Sequence, residues 1–427
     1  MLDIKLIREN PDKIKDACQK KQVNCDIDRL LEVDKKRREL IQETENLKAE
    51  QNKISSQKDG NREKAKELKE KIKELEPELK KADEEFEKII DVVPNVISED
   101  TPIGKYESGN KVVKQVGEKP KFDFKPKDHL QLGEELDVID VKRAAKVSGS
   151  RFNYLKGGAA LLQFALIQHT FQVLTNQKIL EEIIKSAKLD VSSKPFIPVI
   201  PPVMIKPVPF HRMSRLEPRE ERYHMPKDDL YLVGSAEHTL GAMHMDEVFQ
   251  EKDLPIRYIG YSTAFRREAG SHGKDVKGIL RVHQFDKLEM ESFSLPEDGL
   301  KEQDFIVAIQ EYLMQSLKLP YQVVAICTGD MGGPDYRQID IETWLPGQNK
   351  YRETNTSDFM TDYQSRRLKT RVKRKNNKLE LVHMNDATAY AIGRTIIAII
   401  ENYQQKDGTI VVPEVLRQYM GGLEKIE

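Results

Sequence analysis

The chain has 427 residues, more than one ordinary core needs, and its 70 basic and 71 acidic side chains leave a formal net charge of -1. Two domains are therefore expected, and any contact with nucleic acid has to come from a local basic surface. Cys18, Cys25 and Cys327 lack paired ligand spacing, and the start MLDIKLIREN lacks a basic region followed by an apolar run. These features argue against a disulfide framework, a structural zinc site or a membrane partner, and predict a soluble cytoplasmic protein.

From about residue 28 to 91 the chain is dominated by Lys, Glu, Arg and Leu. Val33, Leu40, Leu47 and Ile54 recur every seven residues, and Leu68, Ile72, Leu75, Leu79, Ala82, Phe86 and Ile89 alternate steps of four and three. Both patterns are coiled-coil seams. Between them lies Ser55-Ser56-Gln57-Lys58-Asp59-Gly60-Asn61, whose Asp-Gly-Asn tolerates positive φ, so the helices are expected to fold back as an antiparallel arm. Pro77 removes one helical N–H, but the seam continues in phase beyond it, which predicts a local kink rather than an end.

Basic residues crowd this arm: Arg29, Lys35, Lys36, Arg37 and Arg38, then Lys64, Lys66, Lys69, Lys71 and Lys73. In a generic coiled coil they read first as a solvated face balanced by interleaved glutamates, and only second as a nucleic-acid surface. On the arm alone, a coiled-coil interaction protein stays open.

After Pro94 a loop-rich linker, Thr101 to Lys127, leads into short apolar runs such as 230–233, 256–259 and 322–326. Without a regular helix between each pair, they predict a mostly antiparallel sheet with flanking helices, an α+β fold. The expected division is an N-terminal domain of residues 1–110 and a second domain of 111–427.

The richest stretch runs from Phe265-Arg266-Arg267-Glu268 through a polar loop to Arg281-Val282-His283-Gln284-Phe285-Asp286-Lys287-Leu288-Glu289. Two strands joined by that loop place arginine, an aromatic ring and carboxylates on one surface. Arginine's planar fork suits phosphate and an aromatic face suits a purine, although a salt-bridged exposed hairpin explains the same residues.

The pattern Phe265-Arg266-x-Glu268 with Arg281-Val282-His283-Gln284-Phe285-x-Lys287-x-Glu289 resembles motif 2 of the class II aminoacyl-tRNA synthetases, in the form peculiar to the seryl enzymes. Val199-Ile200-Pro201-Pro202-Val203-Met204 resembles motif 1, and Ala391-Ile392-Gly393-Arg394-Thr395 resembles motif 3. The segments Asp330–Gly332, Asp340–Gln348 and Glu401–Gly422 match the seryl pattern too, so the likeness covers nearly the whole chain.

The resemblance implies ATP-dependent activation of L-serine and its transfer to tRNA(Ser), leaving open whether tRNA(Sec) is also charged. It assigns ATP contacts to Arg266, Arg267, Glu268, Val282, Phe285, Arg394 and the segment Glu353-Thr354-Asn355-Thr356. Glu353 and Thr356 are the positions implied for Mg²⁺. Serine contacts fall to Ser235, Ala236, Glu237, Glu289 and Thr388, with Arg266, Glu289 and Arg394 implied as the catalytic group. The arm is implied to bind the tRNA, and the region of Pro202 to form a homodimer.

Three segments depart from the family pattern. Ser235 stands where threonine is usual and is followed by His238-Thr239-Leu240, and Ser214-Arg215-Leu216-Glu217-Pro218 replaces a glycine-rich segment. The stretch Asn385-Asp386-Ala387-Thr388-Ala389-Tyr390-Ala391 is one residue longer than usual, and counting back from Arg394 gives Thr388 the substrate-sensing hydroxyl. His238 is expected to be structural. A related ligase acting on a carrier protein is disfavoured because such enzymes lack the arm and often hold zinc through cysteine. A non-catalytic paralogue is disfavoured by the retained Arg266, Glu289, Glu353 and Arg394.

Overall fold

The computed structural model describes residues 1–56, 62–269 and 278–427. The expected turn at 57–61 and the loop at 270–277 lie outside the described residues. The chain divides into two compact units, Met1–Val96 and Ile97–Glu427. This boundary falls before the expected one after residue 110, because residues 97–110 are tied into the second unit. Ser98 N donates to Tyr336 O (2.9 Å), Thr328 N to Pro102 O (3.0 Å) and Gly329 N to Gly104 O (2.9 Å).

In the first unit, α1 (Ile27–Ser55) starts at Asp26, whose carboxylate accepts from Arg29 N, and α2 (Arg62–Ile90) runs through Pro77 without ending. The predicted seams face inward: Val33, Leu40, Leu68, Ile72, Ala82 and Phe86 are buried. Ion pairs Arg29–Glu85 (2.7 Å), Arg37–Asp83 (2.5 Å) and Lys64–Glu50 (2.8 Å) link the helices and fix the antiparallel register. Those three basic residues are engaged within the hairpin, whereas Lys35, Lys66, Lys69, Lys71 and Lys73 are exposed.

The second unit is built on an eight-stranded sheet. Its strands are β1 (Lys111–Val116), β2 (Ile197–Val199), β3 (Ile256–Phe265), β4 (Gln284–Ser294), β5 (Tyr321–Ala325), β6 (Arg337–Leu345), β7 (Lys350–Thr361) and β8 (His383–Ala391). The order is β1-β5-β6-β7-β8-β4-β3-β2. Every pairing is antiparallel except β2 with β3. The predicted run at 230–233 instead joins a small separate sheet, where Leu230–Leu232 pairs with Met204–Ile205 and His224–Met225.

Helices α3 (Gly157–Leu174), α4 (Gly299–Ser316) and α5 (Ile392–Asn402) pack with the sheet in one large apolar core. Strand residues alternate between faces, so Leu288, Met290, Ile339, Ile341 and Ala387 enter that core and their neighbours in sequence point to the other side. A buried ion pair pins α4 to the sheet. Arg257 on β3 donates twice to Glu302 (2.8 and 2.6 Å) and caps the carbonyls of Ser192 and Lys194.

Candidate active site

On β4 the period of two that buries Leu288 and Met290 turns Phe285, Lys287 and Glu289 to the other face of the sheet, where Phe285 and Lys287 line a cleft and Glu289 lies buried beside Lys287. Lys287 Nζ lies 2.7 Å from Glu289 and donates to Ser235 Oγ at 3.3 Å. Glu289 is fully buried, and burial raises its carboxyl pKa against the pull of Lys287.

Between Leu288↔Tyr390 and Glu289↔Thr388 the β4–β8 ladder skips Ala389. This β-bulge absorbs the additional residue of the 385–391 stretch and sets Thr388 opposite Glu289. Asn355 on β7 donates to the bulge carbonyl of Ala389 (2.6 Å), and Gln310 on α4 donates to Thr388 O (2.8 Å). Thr388 lines the cleft, while Ala387 and Ala389 belong to the apolar core.

At the other end of the cleft three elements bring cations together. The Arg266 guanidinium lies 5.3 Å over the Phe285 ring, and its Nε donates to Gly234 O. Arg394, in the first turn of α5, pairs with Glu353 at 2.9 Å, and Arg281 pairs with Glu268 at 3.3 Å. An aromatic face beside guanidinium groups suits a purine carrying phosphates. Thr356 hydrogen-bonds Asp358 and Gln338, stands opposite Asp340, and with Glu353 supplies an all-oxygen donor set of the kind a hard divalent cation takes.

The deepest part of the cleft is acidic. Glu237, Glu289 and Asp386 place carboxylate oxygens within 4.8 Å of one another. Cationic side chains already serve them: Arg215 donates to Glu237 Oε1 and to Asp386 Oδ2 (3.2 Å), and Lys287 serves Glu289. Burial would raise the Glu237 carboxyl, but the charge of Arg215, helped by its neighbours, holds it at about 2. His238 Nδ1 accepts from Gly234 N at 3.1 Å and its ring lies 4.6 Å from that of Phe210, a structural placement as expected.

Arg266, Glu268, Val282, Phe285, Glu353, Thr356, Thr388 and Arg394 thus line one cleft, and Glu237 lines its continuation. Other expected contacts are placed elsewhere. Arg267 is exposed and its guanidinium lies 5.0 Å over Tyr223. The hydroxyl of Thr354 is buried against Thr343 and Ile341 O, and the Asn355 amide serves the bulge, so neither side chain reaches the cleft. Ser235 is buried with its hydroxyl on Lys287 and on Glu237 N, and the Ala236 methyl packs into an apolar cluster.

The residues that sequence reasoning passed over are Lys287 and Arg215. Lys287 was open to discovery, since it stands two places from Glu289 and so on the same strand face. Arg215 carried no local signal, for its partners lie 22 and 171 residues away.

Comparison with known proteins gives the same picture. Residues 1–97 match the seryl-tRNA synthetase N-terminal domain, and residues 221–403 match the class II tRNA synthetase core domain shared by the G, H, P, S and T enzymes. The serine–tRNA ligase of Nitrosopumilus maritimus is 40% identical over 438 residues, covering 100% of both chains. The chain belongs to the seryl-tRNA synthetase family. The family's ligase from Thermosipho africanus is 42% identical, again over 100% of each chain. The family's solved structure from Pyrococcus horikoshii, complexed with ATP, matches with a TM-score of 0.88 at 36% identity, covering 100% of this chain and 99% of that one. The fold, with its antiparallel sheet and paired N-terminal helices, is that of a class II synthetase of this family.

Proposed function

We propose that the chain activates L-serine with ATP to seryl-adenylate and transfers the seryl group to tRNA(Ser). The observation that carries this reading is the β4 face. Its aromatic ring, lysine and carboxylate stand in sequence at 285, 287 and 289, with Arg266 and Arg394 at the ring end and Thr388 at the carboxylate end. The adenine stacks on Phe285, the arginines neutralise the phosphates, Glu289 receives the substrate ammonium, and Thr388 senses its hydroxyl. The serine carboxylate then attacks the α-phosphorus in line, and pyrophosphate leaves. Positioning and charge neutralisation suffice, and no protein nucleophile takes part.

Glu353 and Thr356 would hold Mg²⁺, which would supply positive charge to the triphosphate. Transfer uses the terminal ribose hydroxyl of the tRNA, whose body binds the exposed lysines of α1 and α2 through its phosphates.

A homodimer through the region of Pro202 completes the reading. Ile197, Ile200 and Met204 around it, and Leu161 and Phe164 on α3, are exposed apolar side chains that a partner copy would cover. Serine-dependent ATP–pyrophosphate exchange, measured against all amino acids and followed by charging of a tRNA with a long variable arm, tests the activity. Exchange with another amino acid in place of serine would overturn it. Full activity of a monomer by light scattering would overturn the dimer.

A further inference from the structure

At the floor of the cleft, three neighbouring strands put acidic residues side by side. Asp386 on β8 stands directly opposite Glu291 on β4 and opposite Asp358 on β7. Like charges facing one another across a ladder are destabilising, and Glu237 and Asp335 approach the same place. One guanidinium answers this crowd. Arg215 donates to Glu237 and to Asp386 (3.2 Å), and lies 3.7 Å from Asp335 and 3.8 Å from Asp358. Its side chain is 17% exposed and lines the same part of the cleft as Glu237, Lys287 and Asp386. Burial alone would weaken its charge, yet the surrounding carboxylates raise its pKa well above the usual value.

Glu289, whose carboxylate lies within 4.8 Å of those of Glu237 and Asp386, is treated differently. Glu289 is fully buried, and the cation closest to it among the described residues is the Lys287 ammonium at 2.7 Å, with no guanidinium bonded to it. A site that offers an incoming ammonium three acidic groups at once would let it settle in several places, or admit an inorganic cation instead. With Glu237 and Asp386 tied to Arg215, Glu289 is the one of these three left, while Glu291 beside it has its carboxyl pKa pushed well up by burial and by its acidic neighbours.

We propose that Arg215 is the positioning residue of the amino-acid pocket, engaging Glu237 and Asp386 so that Glu289 alone receives the substrate ammonium. The inference rests on the proposed serine site. It also explains why Glu237, the acidic member of the Ser235-Ala236-Glu237 triplet, faces a protein guanidinium: its part is to orient Arg215 rather than to hold the substrate.

The test is ATP–pyrophosphate exchange by the full-length enzyme carrying Arg215→Ala, Arg215→Lys or Glu289→Gln, with KM for serine and for ATP measured separately. Arg215→Ala is expected to raise the serine KM roughly tenfold or more while the ATP KM stays within about twofold, since a buried network loses the guanidinium bonded to both Glu237 and Asp386. Added guanidinium ion should recover part of the loss in that variant. Should Arg215→Ala not fold, Arg215→Lys decides, because a lysine ammonium keeps the charge but lacks the rigid planar fork that holds Glu237 and Asp386 in fixed geometry, and the serine KM must still rise alone. An unchanged serine KM in the folded variants, or serine and ATP KM rising together without guanidinium rescue, overturns the proposal. An unchanged serine KM in Glu289→Gln instead overturns the serine site itself, so the two failures are distinguishable.

Discussion

Glu289 on β4 and Thr388 on β8 are direct partners across the antiparallel ladder, one step past the bulge at Ala389. The bulge lets Thr388, rather than the alanines on either side of it, share the cleft with Lys287. Thr388→Ala should therefore remove one partner of a buried hydrogen bond to serine, a loss of about 1–3 kcal/mol, and leave alanine activation unaffected. Glu289→Gln should be worse for both amino acids, because it removes the charge that balances the ammonium. Exchange kinetics with serine and alanine check this. A constant serine-to-alanine ratio in Thr388→Ala would show that the hydroxyl faces no substrate.

The cleft residues were legible through their resemblance to the class II motifs, and local periodicity supplied the framework around them. The steps of seven and of four and three marked α1 and α2, and the period of two on β4 put Phe285 and Glu289 on one face. The bulge was visible only as a surplus residue between 385 and 391, since nothing in that stretch says where a ladder slips. The side chains of Thr354 and Asn355 turn away from the cleft for a related reason. A segment at a nucleotide site suggests that every member touches the ligand, yet the β6–β7 register slips at Thr354, so two consecutive side chains turn away from the cleft, and Asn355 caps Ala389 O. The Arg215 network is invisible in sequence because charge pairing across 171 residues leaves no periodic trace.

The arm should be separable from adenylate formation. Asp34 is buried and paired with Arg8 and Arg38, so the cut should spare it and replace residues 41–79 with a short linker. Serine-dependent exchange is expected to persist in this variant and tRNA charging to disappear. In the intact chain, charging should weaken steeply with added salt as phosphate contacts release counterions. Exchange lost together with charging in a folded deletion would contradict the assignment.

The pair Arg257–Glu302 joins β3 to α4 with side chains 0% and 2% exposed. Glu302→Ala leaves the guanidinium buried without its counterion and removes the acceptor used by Ser292 Oγ (2.9 Å). The expected loss of stability is about 3–5 kcal/mol, read as a lower urea midpoint, whereas replacing both partners by apolar residues should recover much of it. A shift under about 1 kcal/mol would mean that water reaches the pair.

His169 on α3 is 3% exposed, its Nδ1 has no hydrogen-bond partner among the described residues, and its Nε2 lies 3.4 Å from Ser316 Oγ. Burial lowers its pKa from 6.5 to about 4. The folded protein therefore keeps the ring neutral where the unfolded chain would protonate it. Above pH 6.5 neither state binds the proton and the full stability is present. As pH falls toward 4, the unfolded state binds more protons and stability declines, by about 3 kcal/mol across the window if the whole shift is realised. His169→Gln cannot titrate, so the difference in unfolding free energy between it and the parent should shrink as pH drops from 7 to 4, other groups cancelling. Urea titrations at several pH values measure that difference, and a gap independent of pH would show that the imidazole can be protonated without unfolding.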